Sequence, residues 1–241
     1  QVLFARVNQW EASIHATGGN FERNGTSCAP CHVSQGFLER MEAGTMETAE
    51  SIPNPNPVNC YTCHNIHDTY TTDDWALTYT DPVELWHPPA KATIDLGNGN
   101  LCANCHQSRV VNPWPEVGST ELYTATSQRY GPHHGPMSNV LTGEGGYEVP
   151  GSMTYANSAH MNIADGCVTC HMADAFGQQA GGHVMNVAYQ YHGQTEILTA
   201  GCVDCHDEST IGAETEEFKE EIHMYLDSLG SMLMNMNILS E

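Results

Sequence analysis

The spacing of the cysteines constrains this chain more than any other feature. All ten cysteines fall into five pairs; in every pair two residues separate the cysteines, and a histidine follows at once. We number these Cys-x-x-Cys-His motifs 1 to 5 in chain order: 28–32, 60–64, 102–106, 167–171 and 202–206. This is the motif that attaches c-type haem, in which two thioethers reach one porphyrin edge and the adjacent histidine binds the iron. The sequence therefore predicts five covalently bound c-type haems, numbered here by motif.

The predicted haem ligands follow directly from the motifs. The thioether cysteines are Cys28, Cys31, Cys60, Cys63, Cys102, Cys105, Cys167, Cys170, Cys202 and Cys205. The proximal iron ligands are His32, His64, His106, His171 and His206.

Three other uses of paired cysteines fit this pattern less well. A redox dithiol needs no adjacent histidine, and one pair per domain is usual. A zinc site joins one Cys-x-x-Cys pair to another and does not require a histidine after each pair. A disulfide framework would not give every pair the same spacing. Haem attachment accounts for all ten cysteines and leaves none over.

Nine of the 14 histidines lie outside the motifs, since five belong to them. Five irons need at most five further ligands, so every iron can be closed by two histidines and no methionine is required. The predicted distal ligands are His15, His67, His160, His183 and one of His133 and His134. We expect His87, His192 and His223 to be structural or exposed. Each of the distal candidates, considered by itself, could also be a structural or exposed histidine and not an iron ligand.

The composition limits both the fold and the partners. Seven Lys and Arg stand against 29 Asp and Glu, a formal charge of −22, which disfavours nucleic acid and anionic membranes because both require a basic surface. Large aliphatic residues are scarce, so we expect haems to fill much of the interior. The predicted fold is mostly irregular chain with short helices, several carrying the motifs, wrapped around a chain of haems. Strand content should be low, with short strands between residues 73 and 95. No apolar run is long enough to cross a bilayer.

The clearest helix predicted from the sequence is the last segment, from about Thr215 to Leu239. Apolar residues such as Phe218 and Ile222 recur there at spacings of three and four. Acidic residues stand near its start, where the helix dipole favours them. We therefore predict a pentahaem domain over residues 1–211 and an amphipathic helix over 212–241. The apolar stripe of this helix either caps the haem core or docks on another subunit.

Several phrases in the sequence resemble the multihaem cytochromes c of metal-reducing bacteria and related archaea. The likeness spans residues 10–206 and is carried by WEASIHA before motif 1, GPHHGP and YEVPG between motifs 3 and 4, SAHMN before motif 4 and GGHVM after it. In that family, histidines at these places are distal iron ligands, which favours His133 over His134. The resemblance implies bis-histidine haems and secretion to the cell surface or beyond, with the periplasm as the alternative.

Members of that family include electron donors and shuttles, relatives of multihaem reductases and subunits of extracellular cytochrome filaments. We expect electron transfer through five closely packed haems, with this chain as the repeating subunit of a conducting filament and His15 donated across the subunit interface. A discrete shuttle, serving redox proteins or an extracellular acceptor, is the first alternative. A nitrite, hydroxylamine or tetrathionate reductase is the second. It would need an iron with an open sixth position, which the surplus of histidines disfavours.

Overall fold

A computed structural model describes most of the chain. The described residues are 2–86, 92–114, 118–126, 130–133, 135–146, 148–152 and 154–239. Two histidines considered above, His87 and His134, lie outside the described residues.

Nine α-helices occur in the described part of the chain, and most are a single turn. They are α1 Val2–Glu11, α2 Ile14–Thr17, α3 Ala29–His32, α4 Ser34–Ala43, α5 Cys60–Cys63, α6 Asn100–Ala103, α7 Met137–Thr142, α8 Cys167–His171 and α9 Ile211–Asn235. Short 3-10 turns at Thr72–Trp75, Gly97–Gly99, Ala159–Asn162, Gly182–Val184 and Thr199–Gly201 separate them. Helices α3, α5, α6 and α8 carry all or part of motifs 1 to 4, as predicted.

Strands are few and form two separate hairpin-like pairs. Strands β1 (Val83–Glu84) and β2 (Thr93–Ile94) are antiparallel, with Val83 opposite Ile94. Strands β3 (Ala188–Tyr191) and β4 (Gln194–Ile197) form the second pair. Helix accounts for about 40% of the structure and strand for about 7%. The predicted mixture of helix and irregular chain with little strand is therefore confirmed.

The chain divides into two compact units, Gln1–Thr169 and Cys170–Glu241. The division falls inside α8, so motif 4 begins in the first unit and ends in the second. The second unit joins motif 5 to α9. This division concerns the packing of the polypeptide; the predicted separation of a haem domain from a terminal helix stays a prediction.

A small hydrophobic cluster lies at the centre of the first unit. It comprises Val83, Leu85, Ile94, Leu96 and Ala103, with relative exposures of 5% or less. Strands β1 and β2 supply two of these side chains, and motif 3 supplies Ala103 within its own Cys-Ala-Asn-Cys sequence. The cluster therefore fixes motif 3 in the interior of this unit.

The β3–β4 hairpin of the second unit turns through only two residues, His192 and Gly193. Both have positive φ, 50° and 80°, as in the two-residue turns whose twist matches that of antiparallel strands. The imidazole of His192 stacks edge-on against Tyr191, with ring centroids 4.2 Å apart. His192 is exposed at the tip of the hairpin, and this local role agrees with its interpretation as a structural histidine.

Helix α9 begins and ends about four residues earlier than predicted. It starts early because the carbonyl of Asp207 accepts hydrogen bonds from the amides of Thr210 and Ile211, at 3.1 and 3.3 Å. It ends at Asn235, and Asn237, with φ of 55°, turns the chain left-handed. Ile211 is the only buried residue of the helix. None of the described helices, α9 included, is both long and apolar enough to cross a membrane.

The close packing of α3 against α4 depends on the absence of a side chain at Gly36. A Cβ at this position would stand 2.6 Å from the carbonyl carbon of Ala29, which is backbone and cannot move aside. We expect Gly36→Ala to lower the free energy of unfolding by roughly 1–3 kcal/mol through overpacking. Gly25→Ala is the matched control, because a Cβ there meets no atom within 4 Å. Thermal unfolding followed by circular dichroism measures both; equal stability of the two variants would contradict this account of the α3–α4 contact.

Candidate haem-binding centres

The five motifs share one local conformation. The amide of the motif histidine donates to the carbonyl of the first cysteine in motifs 1, 2, 3 and 5, at 2.9–3.1 Å. Motif 4 forms the helix α8 itself. Residues three and four apart lie on the same face of a helical turn, so both cysteines and the histidine of each motif point to one side. This is the arrangement that a haem requires when it is anchored along one edge and bound from below.

The imidazole of His15 faces that of His106, the proximal histidine of motif 3. Their ring centroids are 6.1 Å apart and the rings are inclined by 65°. A metal–imidazole bond is about 2 Å long and the ring nitrogen lies about 1.1 Å from its centroid, so two imidazoles on one iron have centroids about 6 Å apart. The two side chains would therefore be able to bind the iron of a haem attached at motif 3.

Local hydrogen bonds hold His15 in this position. Ser13 caps α2, because its hydroxyl oxygen accepts the amide of Ala16 at 3.4 Å and donates to the carbonyl of Trp10 at 2.7 Å. The indole of Trp10 in turn donates to the carbonyl of Val58 at 2.9 Å. The helix that carries His15 is thus tied to the segment before motif 2.

A second pair of the same form joins His32 of motif 1 to His133. The ring centroids are 6.2 Å apart, with an inclination of 67°. His133 has φ of 77°, a left-handed conformation that non-glycine residues rarely adopt and that often marks functional positions. The amide of Arg109 donates to the carbonyl of Pro132 and ties the loop to the end of motif 3. His133 therefore fits the distal position of haem 1.

Burial and neighbouring charges favour the neutral imidazole at one member of each pair, His15 and His32. Burial, followed by the proximity of Arg23 and His133, lowers the pKa of His32 to about 4. Burial and then His106 lower the pKa of His15. A neutral ring nitrogen has the lone pair that an iron ligand needs, so both residues are ready to ligate at neutral pH.

Two further proximal histidines are oriented by backbone carbonyls. Nδ1 of His64 lies 2.7 Å from the carbonyl oxygen of Trp75, and Nδ1 of His171 lies 2.8 Å from that of Met185. A hydrogen bond of this kind places the proton on Nδ1 and leaves Nε2 as the metal-binding atom. In motif 5, Nδ1 of His206 lies 4.0 Å from a carboxylate oxygen of Glu214 at the start of α9.

The other predicted distal histidines occupy turns. His160 lies in the 3-10 turn Ala159–Asn162, and its Nδ1 is 3.1 Å from the hydroxyl of Ser158. His183 is half-buried in the turn Gly182–Val184. His67 is exposed and left-handed, with φ of 67°. Their assignment to haems 2, 4 and 5 stays a prediction.

Asp74 organises the loop that carries His67. Its carboxylate accepts the amides of His67, Thr69 and Tyr70 at 2.6–3.1 Å and the hydroxyl of Thr69 at 2.7 Å. The Thr69 hydroxyl bond, together with the three amide bonds, lowers the pKa of Asp74. Sequence analysis missed this residue, because nothing in its spacing from motif 2 indicates that its carboxylate folds back onto the loop.

The cysteines bring the motifs together in an order that differs from their order in the chain. The thiol of Cys105 in motif 3 lies 4.0 Å from the carbonyl of Pro30 in motif 1, and its proximity lowers the pKa of Cys31. The proximity of Cys102, also in motif 3, lowers the pKa of Cys167 to about 7. Cys63 of motif 2 lies close enough to affect both cysteines of motif 3 electrostatically. Motif 3 is therefore adjacent to motif 1 and to the Cys167 end of motif 4, with motif 2 nearby.

An open groove of about 490 Å³ lies beside motif 5 in the second unit. Phe176, Ile197, Leu198 and Val203 line it together with His206 and the polar residues Thr199 and Glu208. An apolar group anchored at motif 5 would find these apolar side chains next to the motif histidine.

Among the described residues, no three His, Cys, Asp or Glu side chains are grouped to hold a metal ion on their own. A haem iron does not require such a group, because the porphyrin supplies four ligands and the protein only two. The expectation that His15 is donated to a neighbouring subunit stays a prediction; within the chain, its ring lies 6.1 Å from that of His106.

Comparison with known proteins found no similar protein. No protein-family model, curated protein or solved structure matches the chain. The interpretation of the site therefore stands on its motifs and its geometry.

The two histidine pairs predict the effect of removing one distal ligand. We expect His15→Ala and His133→Ala each to convert one of five low-spin haems into a high-spin haem, because the iron loses its sixth ligand. The measurement is electron paramagnetic resonance together with the visible spectrum. His192→Ala, at the hairpin tip, should leave all haems low-spin. A wholly low-spin His15→Ala protein would contradict the pairing of His15 with His106.

The hydrogen bonds of Asp74 predict a pH dependence of the His67 loop. Because its pKa is lowered in the folded protein, Asp74 stabilises the loop fully above its ordinary pKa of about 3.9, and this contribution is lost as pH falls through the lowered value. Hydrogen exchange of the amides of His67, Thr69 and Tyr70 should accelerate in Asp74→Asn at neutral pH. The neighbouring exposed residue supplies the control, Asp73→Asn. Equal protection in both variants would show that Asp74 does not order the loop.

Proposed function

We propose that the chain is an electron-transfer protein that carries five c-type haems, each closed by two histidines. The observation that carries this proposal is the pairing of a motif histidine with a non-motif histidine at the iron-sharing distance, at 6.1 Å for His15 and His106 and 6.2 Å for His32 and His133. When bound, a haem supplies an iron that alternates between the ferric and ferrous states. The histidines hold that iron in the same coordination in both states.

The closure of the irons favours electron transfer over catalysis. A reductase acting on nitrite, hydroxylamine or tetrathionate needs an iron with an exchangeable sixth position. At motifs 1 and 3 that position faces a histidine from another part of the chain. The proposal for haems 2, 4 and 5 rests on His67, His160 and His183, which are sufficient in number.

The adjacency of the motifs supports electron hopping within the chain. Contacts between Cys31 and Cys105 and between Cys102 and Cys167 bring three attachment sites together. Haems anchored at neighbouring sites lie close to one another, so an electron can pass between porphyrin edges. We propose that haem 3 connects haem 1 to haem 4, with haem 2 nearby.

Helix α9 supports self-association. Its residues follow the alternating spacing of four and three that is typical of a coiled-coil seam, all apolar or aromatic except Thr215: Ile211, Thr215, Phe218, Ile222, Tyr225, Leu229 and Met232, with Met236 just past the helix end. Beyond Thr215 these side chains are exposed, Phe218 by 63%. We propose that the seam pairs with a second copy of α9.

The charges of α9 favour an antiparallel pair. Its acidic residues all lie between Glu214 and Asp227, whereas the segment 228–239 has no charged residue. A parallel pair would set two acid-rich halves side by side, but an antiparallel pair sets each against a neutral half. Such a two-fold contact closes on itself, so a filament requires a second, head-to-tail contact elsewhere on the surface.

We therefore propose the repeating subunit of an extracellular or cell-surface cytochrome filament. A discrete shuttle, there or in the periplasm, is the second candidate, because a net charge of −22 would steer the protein towards a basic patch on a redox partner or acceptor. The location rests on the resemblance described above.

Four measurements on the native protein test the proposal. Mass spectrometry and the pyridine haemochrome spectrum should give five haems per chain, and electron paramagnetic resonance should give low-spin irons. Fewer haems, or a high-spin signal in the resting protein, would overturn the bis-histidine carrier. Electron microscopy then separates filaments from single particles, and single particles at every concentration would favour the shuttle.

The seam of α9 predicts a position-specific effect on assembly. Met232 lies in the seam and Met234 on the opposite face, and both side chains are exposed, by 59% and 44%. We expect Met232→Asp to weaken self-association at least about tenfold, equivalent to about 1.4 kcal/mol, because it introduces a charge on each side of the contact. Met234→Asp is the matched control and should not change it. Sedimentation over a range of concentrations measures both, and equal effects would rule out this seam.

A further inference from the structure

Arg40 is a buried cation without a carboxylate partner among the described residues. It lies in α4, one of only seven Lys and Arg in the chain, and its relative exposure is 4%. Burying a charge costs free energy unless other groups replace its hydration. One of the few cations of this chain is therefore at a position where its charge is energetically unfavourable.

The groups around Arg40 are neutral. Its Nη1 donates to the carbonyl of Asn104 at 2.8 Å, and Nη2 donates to the side-chain oxygen of Asn104 at 3.2 Å. Its guanidinium lies 4.4 Å from the ring centroid of Trp86 and 5.6 Å from that of Phe37. These contacts orient the guanidinium and replace part of its hydration, but they leave its charge uncompensated.

Arg40 stands where two haem motifs meet. Asn104 belongs to motif 3, between its two cysteines. Nη1 of Arg40 also lies 3.9 Å from Sγ of Cys31 in motif 1. The charge is therefore fixed beside the thioether edges predicted for haem 1 and haem 3.

We infer that Arg40 raises the reduction potentials of haems 1 and 3; this inference rests on the proposed haem function. Reduction adds one electron to the ferric iron and forms or breaks no bond, so the charge of the haem falls by one unit. A fixed cation nearby stabilises the reduced state relative to the oxidised state, and the effect is strong where water is excluded. The electron comes from a neighbouring haem or an external reductant.

The consequence is an uneven distribution of electrons in the partly reduced protein. The −22 charge of the chain disfavours every reduced haem. Arg40 opposes the negative potential of the chain where motifs 1 and 3 meet. The first electrons to enter the protein therefore occupy haems 1 and 3. Arg40 is thus a positioning residue for electrons and not a ligand of either iron.

The test is a potentiometric titration of the full five-haem protein with dithionite, followed by visible and electron paramagnetic resonance spectra. Arg40→Gln should shift the highest of the five fitted potentials to more negative values. Arg40→Lys should leave that potential nearly unchanged, because the charge remains. Arg6→Gln removes the same charge at an exposed position on α1 and should change none. Unchanged potentials in Arg40→Gln, or an equal shift in Arg40→Lys, would overturn the inference.

A second pair of variants keeps Arg40 in place, in case its removal prevents folding. Trp86→Glu puts a carboxylate beside the guanidinium, and Trp86→Gln provides the same shape without charge. The potential of the affected haems should be lower in the Glu variant than in the Gln variant, and equal potentials would refute the role of charge. A failure of the haem proposal itself is distinguishable, because it appears in the unmodified protein as fewer than five haems.

Discussion

Two imidazoles that share an iron must face each other with centroids about 6 Å apart, and this requirement ties distant parts of the chain together. His15, near the start of the chain, meets His106, and His32 meets His133. Each pair joins segments that share no strand or long helix. The hydrophobic cluster of the first unit is small, so haems held between these histidine pairs, as proposed, would supply much of the interior that a larger core supplies in other domains.

Motif 3 makes contacts with several separate segments of the first unit. Its Ala103 enters the hydrophobic cluster, its cysteines meet those of motifs 1 and 4, and its Asn104 binds the guanidinium of Arg40. The same few residues thus set the packing, the order of the attachment sites and the local charge. The order in which the motifs lie side by side therefore differs from their order in the chain, and the proposed electron path is organised around motif 3 for this reason.

Charge has opposite roles in the interior and at the surface. The formal charge of −22 would repel other copies of the chain and attract cationic partners, whereas α9 offers an apolar stripe and has no charged residue over 228–235. The interior holds the cation Arg40 between the ring of Trp86 and the amide of Asn104. The proposed association and the proposed redox tuning therefore rest on separate elements, α9 and α4.

The sequence alone determined the local chemistry. The Cys-x-x-Cys-His motifs, their helical turns, the low strand content and the existence of the last helix all depend on residues within about five positions of one another, where spacing dictates geometry. The surplus of histidines also indicated that every iron could be closed. Only the tertiary structure decided that His15 lies beside His106, that motif 3 lies beside motif 1 and Cys167, that Asp74 folds back onto the His67 loop and that Arg40 is buried between motifs 1 and 3. These contacts join segments that are far apart in the sequence or that have irregular backbone. They arise from how the turns pack in three dimensions, so no periodicity of the sequence predicts them.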